Sequence, residues 1–205
     1  TPPNPEIVQV TDEIVTPFPW SAESLAKLGA SVHWFGHPLC ELIAAEPDQD
    51  RKHIAILPGS RLHELQYNLP VLAECSRKFD LPFCIAVASS LNADDVASKW
   101  RAAGGSENVT FDTRSPYAVL KGAVAGLVCS GTATLEAVLC GCPQVVVYRG
   151  SKWMEIEYKI RRPKFQFFSL PNILAEREMV PELLQWDANV DRISYELQQI
   201  LPGGA

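Results

Sequence analysis

Five apolar runs recur between residues 54 and 148: "IAIL" (54–57), "FCIAVA" (83–88), "NVTFD" (108–112), "VAGLVC" (124–129) and "QVVVY" (144–148), each parted from the next by helical spacing or a turn. Val, Ile and Leu in near-continuous runs, without polar alternation, describe strands buried on both faces. Parallel strands meet that condition because their crossovers lay helices over the sheet, and such crossovers are right-handed. The pattern therefore predicts an α/β fold, a doubly wound parallel sheet of the Rossmann-like kind.

The intervening stretches carry helix signals. Leu65, Leu69, Leu72 and Phe79 repeat at one or two turns, with Pro70 predicting a kink or a late start. "ADDVASKWRAAGG" ends on a glycine pair, and in "RSPYAVLKG" Ser115 is placed to cap with Pro116 at the first helical position. The last helix, "DANVDRISYELQQIL", sets Val190, Ile193, Leu197 and Ile200 on one stripe, with Asp187 expected as its cap.

Residues 1–45 read differently. "EIVTPFP", "SAESLAKLG" and "SVHWFGHPL" make one short strand–helix–strand unit before the polar "AAEPDQDRKH". This portion is expected to be the tail of a preceding domain plus a hinge or linker, with 46–205 as the α/β domain. The opening "TPPNPEIVQVTDEIV" has no basic start leading into an apolar core and is not read as a signal peptide. Its start on Thr-Pro-Pro, without Met, reads as a chain that begins partway through a protein.

Charge and cysteine content exclude other classes. With 18 basic against 24 acidic residues the net charge is −6, the wrong sign for a general nucleic-acid binder. No window approaches the roughly 20 uninterrupted apolar residues of a membrane span. The six cysteines include no CxxC pair and share no ligand spacing with the histidines, so they read as buried reduced thiols; no metal site is expected.

Ligands of open parallel sheets sit where strands run into helices. Two such loops draw attention. In "LPGSRLHE" (57–64), Gly59 permits a close turn, Ser60 offers a hydroxyl and Arg61 a fork of donors suited to phosphate; a plain turn with Arg61 paired to Glu64 is the alternative. In "CSGTATLE" (129–136), a helix begins at Ser130-Gly131-Thr132 with free amides and a partial positive charge. Gly131 removes the side chain that would block an anion, and Ser130, Thr132 and Thr134 add hydroxyls. Glu136 is placed to accept from a ribose diol, or simply to offset the helix dipole. Ser169, Asn172, Glu176, Arg177 and Glu178 form a third group, on a loop after an expected strand "FQFF" (165–168), or a plain surface loop. The basic–aromatic stretch 152–168 suits an anionic membrane surface, or an amphipathic helix packed on the core.

Together "FGHPL" (35–39), "LPGSRLHEL" (57–65), "SGTATLEAVLCGCPQVVVYR" (130–149) and "SLPNILAEREMVPELLQ" (169–185) resemble the lipid-A-disaccharide synthase family, inverting glycosyltransferases of GT-B architecture. The resemblance covers about residues 30 to 200, in the order of that family's carboxy-terminal half. It implies transfer of 2,3-diacylglucosamine from UDP to 2,3-diacylglucosamine 1-phosphate, giving a β-1,6 disaccharide and UDP, with no metal or cofactor. It implies a UDP-sugar donor and a lipid-linked sugar acceptor as partners, no nucleic acid, and a cytoplasmic protein in contact with the inner-membrane surface.

By the same resemblance Gly59, Ser60 and Arg61 face the UDP phosphates, Ser130, Gly131, Thr132, Ala133 and Thr134 cradle them, Glu136 binds the ribose, and Asn172 lies beside the donor. Tyr148 and Glu178 are further candidates. The family takes its catalytic base from the amino-terminal domain, so no catalytic residue is assigned here, and Gly36-His37-Pro38 is read as a hinge. Other UDP-sugar enzymes of the same architecture, such as an epimerase, and a non-catalytic nucleotide-binding module share the Ser-Gly…Glu…Gly-x-Pro pattern. A flavodoxin-like signalling domain would require neither Glu136 nor the 169–185 motif.

Overall fold

The computed structural model describes residues 5–151 and 166–203. The chain divides into two units, Thr1–Ala45 and Glu46–Ala205.

The first unit holds helix α1 (Pro5–Val10), strand β1 (Ile14–Val15), α2 (Pro19–Ala26), β2 (Val32–His33) and α3 (Leu39–Ala44). The two strands pair in parallel, Ile14 opposite Val32 and Val15 opposite His33, across the α2 crossover. Phe18 stacks on Trp20 with ring centroids 4.5 Å apart, and His37 accepts the Leu39 amide through Nδ1 at 3.2 Å, fixing the entry to α3. Helices α1 and α3 are additions to the strand–helix–strand unit that the sequence suggests.

The second unit is built on six parallel strands: β3 (His53–Leu57), β4 (Phe83–Ala86), β5 (Val109–Asp112), β6 (Ala123–Cys129), β7 (Gln144–Tyr148) and β8 (Glu182–Leu184). Their order across the sheet is β5-β4-β3-β6-β7-β8, so the winding reverses between β3 and β6. This is the doubly wound α/β sheet. The connecting helices are α4 (Leu62–Ser76), α5 (Ala93–Ala102), α6 (Pro116–Lys121), α7 (Thr132–Leu139), α8 (Leu170–Ala175) and the terminal α9 (Val190–Ile200).

Alternation along each strand sorts side chains between the two layers. Ile54, Ile56, Phe83, Ile85, Leu127, Val145 and Val147 face Leu65, Leu69, Leu72, Val96, Trp100, Ile193 and Leu197 of α4, α5 and α9, all buried in one cluster. Trp100, wholly buried, donates from Nε1 to the Ser106 carbonyl at 3.0 Å, so its polar edge is satisfied. Helices α6 and α7 contact the sheet and each other, and α7 also contacts α8.

Several local expectations are corrected. Helix α4 starts at Leu62 and runs unbroken across Pro70. Pro70 and Gln66, whose carbonyl that proline cannot serve, both lie on the exposed side, where the missing bond leaves no buried group unpaired. The cap of α9 is Asn189, whose side chain accepts the Arg192 amide at 3.0 Å; Asp187 closes a 3-10 turn, Gln185–Asp187, ahead of it. Residues 166–168 form no strand, and 165 lies outside the described residues, as does the basic–aromatic stretch through 152–165. Cys40 is exposed, whereas Cys75, Cys84, Cys129, Cys140 and Cys142 are buried free thiols. Burial pushes the Cys129 and Cys142 thiols up to about 12 and Cys140 up to about 11, which leaves them protonated and unreactive.

Candidate functional site: an anion-accepting cleft at the switch point

A cleft of about 550 Å³ opens over the carboxyl ends of β3, β4, β5 and β6. It is lined by the turn after β3 (Gly59, Ser60, Arg61, with Glu64), by Val87–Ser89 after β4, by Thr113, Arg114 and Pro116 after β5, and by Cys129–Ala133 and Glu136 after β6. Its centre is the reversal of winding between β3 and β6, where two neighbouring strands send their helices to opposite faces and leave a crevice.

The β6 side presents a bare helix tip. Gly131 precedes α7 with φ 152° and ψ −160°, a backbone region essentially closed to side-chain-bearing residues. A Cβ at Gly131 would meet no atom within 4 Å, so the space before it is open cleft. No side chain caps the tip. Among the described residues the Gly131, Thr132 and Ala133 amides have no hydrogen-bond partner. Three unpaired N–H groups at the positive end of a helix are donors that an anion could satisfy. Thr134 departs from expectation: its amide (3.2 Å) and hydroxyl (2.8 Å) both bond back to the Gly131 carbonyl, and the residue is fully buried. It braces the tip from inside and does not line the cleft.

The β3 side is built differently. Glu64 Oε2 accepts the Ser60 amide at 2.9 Å and the Arg61 amide at 3.3 Å, while Oε1 takes Arg61 Nη1 at 3.0 Å. The Arg61–Glu64 pair and a cleft-lining Arg61 are therefore both present. Arg114, after β5, adds a second guanidinium, held by Asp112 through Nη2 at 2.7 Å and Nε at 3.2 Å. Hydrogen bonding to that guanidinium holds the Asp112 carboxyl below its ordinary value.

Glu136 lies one turn into α7 and lines the cleft, and its carboxylate makes no hydrogen bond or ion pair among the described residues. Burial alone raises its pKa. A half-buried acid without a partner is a destabilising feature that a bound hydroxyl pair would satisfy.

The cleft thus gathers Gly59, Ser60, Arg61, Ser130, Gly131, Thr132, Ala133 and Glu136. Tyr148, half-buried at the end of β7, does not line it. Asn172 and Glu178 line a second hollow with Gln166, Phe167, Glu182, Leu184 and Asp187. Asn172 is fully buried and saturated: Nδ2 donates to the Val180 carbonyl (2.9 Å) and Glu182 (2.8 Å), and Oδ1 accepts the Met179 (2.6 Å) and Val180 (3.0 Å) amides. Glu182 also accepts the Phe168 amide (2.9 Å) and both the Ser169 amide (2.8 Å) and hydroxyl (2.6 Å). The "SLPN…VPE" motif is a lock that fastens α8 to the outer strand β8.

Sequence reasoning missed Arg114 and Asn68. Arg114 follows a strand end directly and was open to the same rule that selects Arg61. Asn68, fully buried, donates to the Glu64 carbonyl at 2.8 Å and accepts the Arg149 amide at 2.8 Å, tying α4 to the end of β7. Nothing local in the sequence signals that role.

A doubly wound α/β domain with an open helix tip, two guanidinium groups and an unpartnered acid at its switch point has its polar groups gathered where ligands of such sheets sit. The chain matches the family described as lipid-A-disaccharide synthetase over residues 4–204, and it belongs to that family. It is 33% identical over 210 residues to the lipid-A-disaccharide synthase of Hahella chejuensis, covering 94% of this chain and 52% of that protein. With the synthase of Geobacter sulfurreducens it shares 30% identity over 213 residues, 95% of this chain and 54% of that one. The chain therefore spans about half the length of the curated relatives it matches. A solved structure titled as the GtfA/B complex aligns at 12% identity and a TM-score of 0.44, over 96% of this chain and 46% of that one. No described helix is long and apolar enough to cross a membrane.

Proposed function

We propose that residues 46–205 form the donor-binding half of a lipid-A-disaccharide synthase of GT-B architecture, with residues 1–45 as the end of the acceptor half and the hinge. The whole enzyme would move 2,3-diacylglucosamine from UDP onto 2,3-diacylglucosamine 1-phosphate, at the cytoplasmic side of the inner membrane. The acceptor hydroxyl attacks the sugar C1, the C1–O bond to the diphosphate breaks with inversion, UDP leaves, and a base outside this half takes the proton. On this reading the 205-residue chain binds UDP and does not turn over; disaccharide formed by it alone would contradict the assignment.

The observation that supports the reading is the unfilled α7 tip beside Arg61 and Glu136, in one cleft. Negative charge grows on the leaving diphosphate in the transition state. Fixed amides and a guanidinium stabilise that charge without having to reorganise. Gly131, Thr132 and Ala133 would hold the phosphates, with Ser60 and Arg61 opposite, and Glu136 would accept from the ribose hydroxyls. Thr134 and Asn172 take part only as braces.

Arg61→Ala is expected to weaken UDP by about ten- to a hundredfold, the worth of a charge-assisted hydrogen bond. The Arg61 side chain is 71% exposed, so unfolding curves should barely move. Calorimetry giving wild-type affinity would remove Arg61 from the site.

Glu136 supplies a pH dependence. Only its ionised form accepts from both ribose hydroxyls, and burial raises its pKa above 4.5. Uridine, which lacks the titrating phosphates, should lose affinity as pH falls through the raised Glu136 pKa, and Glu136→Gln should lose that dependence. The stability effect has the opposite sense. A raised folded pKa means the folded state holds the proton more tightly than the unfolded chain. Stability is then greatest below the unfolded value and declines as pH rises to the folded one. Glu136→Gln should therefore melt higher than the wild type at neutral pH while binding uridine less well; a lower melting point would show that Glu136 has a stabilising partner.

A further inference from the structure

Glu64 is a carboxylate inside a cleft read as an anion site, and that reading gives it no task. It sits third in α4 and reaches back over the turn: Oε2 accepts the Ser60 amide (2.9 Å) and the Arg61 amide (3.3 Å), and Oε1 accepts Arg61 Nη1 (3.0 Å). Its side chain is 12% exposed against 71% for Arg61. The fit is close enough that a Cβ on Gly59, where φ is +109°, would lie 2.6 Å from Glu64 Oε2. The turn after β3 has thus closed on the chain's own acid. Its Ser60 and Arg61 amides are spent internally, while those of Gly131, Thr132 and Ala133 across the cleft remain open.

We propose that Glu64 is a positioning residue that divides diphosphate binding unequally between the two loops. It withdraws the Ser60 and Arg61 amides from phosphate, so that the backbone cradle lies chiefly at the α7 tip, and it anchors Arg61 by Nη1 so that the remaining guanidinium N–H groups meet the diphosphate from the opposite side. This rests on the proposed reading of the cleft as a UDP site. Two effects of the acid oppose each other. Its charge repels an incoming phosphate, and its hydrogen bond restrains a long side chain that would otherwise give up rotamer freedom on binding. The geometry favours restraint, because three donors, one of them cationic, already compensate the charge.

The test is a double-mutant cycle: UDP titrated calorimetrically into the wild type, Arg61→Ala, Glu64→Gln and the double variant. Glu64→Gln is expected to weaken UDP on the order of tenfold when Arg61 is present and by less than about twofold when it is absent. Tighter binding by Glu64→Gln would make the acid a competitor of the ligand. An equal loss in both backgrounds would make it a helix cap and nothing more. Either result overturns the proposal. Should Glu64→Gln fail to fold, Glu64→Asp keeps the charge at the helix start and carries the same comparison. Inorganic pyrophosphate run on the same four proteins separates the two ideas. A coupled pattern with pyrophosphate but no preference for UDP supports the role of Glu64 and removes uridine from the reading. Absence of any anion binding by the wild type removes both.

Discussion

Gly131→Ala is expected to abolish most UDP binding while costing the fold about 1–3 kcal/mol, the range for a side chain forced into a glycine-only backbone region. Gly131 holds φ 152° and ψ −160° immediately before α7, and nothing stands within 4 Å of the position a Cβ would take. The added methyl therefore clashes with no protein atom. It projects into the space from which a phosphate would approach the amides of residues 131–133. If the backbone relaxes to relieve the strain, those amides turn away; if it does not, the methyl stands in their path. Losing one amide bond to a charged ligand corresponds to about 1.5–3 kcal/mol, roughly ten- to a hundredfold in affinity. Gly104→Ala is the control, since Gly104 also has positive φ (+71°) and lines no part of the cleft. It should lose comparable stability and keep its UDP affinity. If the two alanine variants bind UDP equally well, the α7 tip is not the phosphate site.

Glu182→Ala is expected to produce the greatest loss of stability among the changes considered. The carboxylate serves the Phe168 amide, the Ser169 amide and hydroxyl, and Asn172 Nδ2, all within 2.9 Å. Alanine leaves those donors unserved in a place where Ser169 and Asn172 are both fully buried. An unsatisfied buried donor costs about 1–3 kcal/mol, so the sum is about 3 kcal/mol or more, on the order of a 10 °C fall in melting temperature for a domain of this size. Proteolysis should then begin near 166–175, because α8 has lost its fastening to β8. Glu182→Gln keeps one acceptor and should fall between the alanine variant and the wild type. A Glu182→Ala protein that melts with the wild type would mean that the network is not what secures α8.

The strands β3 to β7 were legible because parallel strands covered on both sides must be apolar throughout, and that leaves a mark in short windows. Strand β8 left no such mark. It has three residues, follows Pro181, and begins with Glu182, whose charge is answered by donors from residues 168, 169 and 172. Pro70 misled because its cost depends on which side of the helix it occupies, and that is fixed only by packing. The same division runs through the site. Residues chosen because they follow a strand end, Gly59–Arg61 and Ser130–Ala133, do meet in one cleft. Asn68 acts through contacts that the linear sequence hides: it reaches Cys129 across 61 positions and Arg149 across 81. Thr134 and Asn172 carry the polar groups a ligand site needs, yet each spends them on its own loop. Polarity in a motif identifies residues that make hydrogen bonds. Only the fold decides whether the partner is a ligand or the chain itself.

A crystal structure of the chain with UDP would decide whether the α7 tip holds the diphosphate. Phosphate oxygens within hydrogen-bonding distance of the Gly131, Thr132 and Ala133 amides are expected, with Arg61 on the opposite side, Glu64 still closed on Ser60, and the ribose hydroxyls on Glu136. A diphosphate bound elsewhere, such as the hollow beside Glu178, or held by side chains alone with the α7 amides left open, would contradict it.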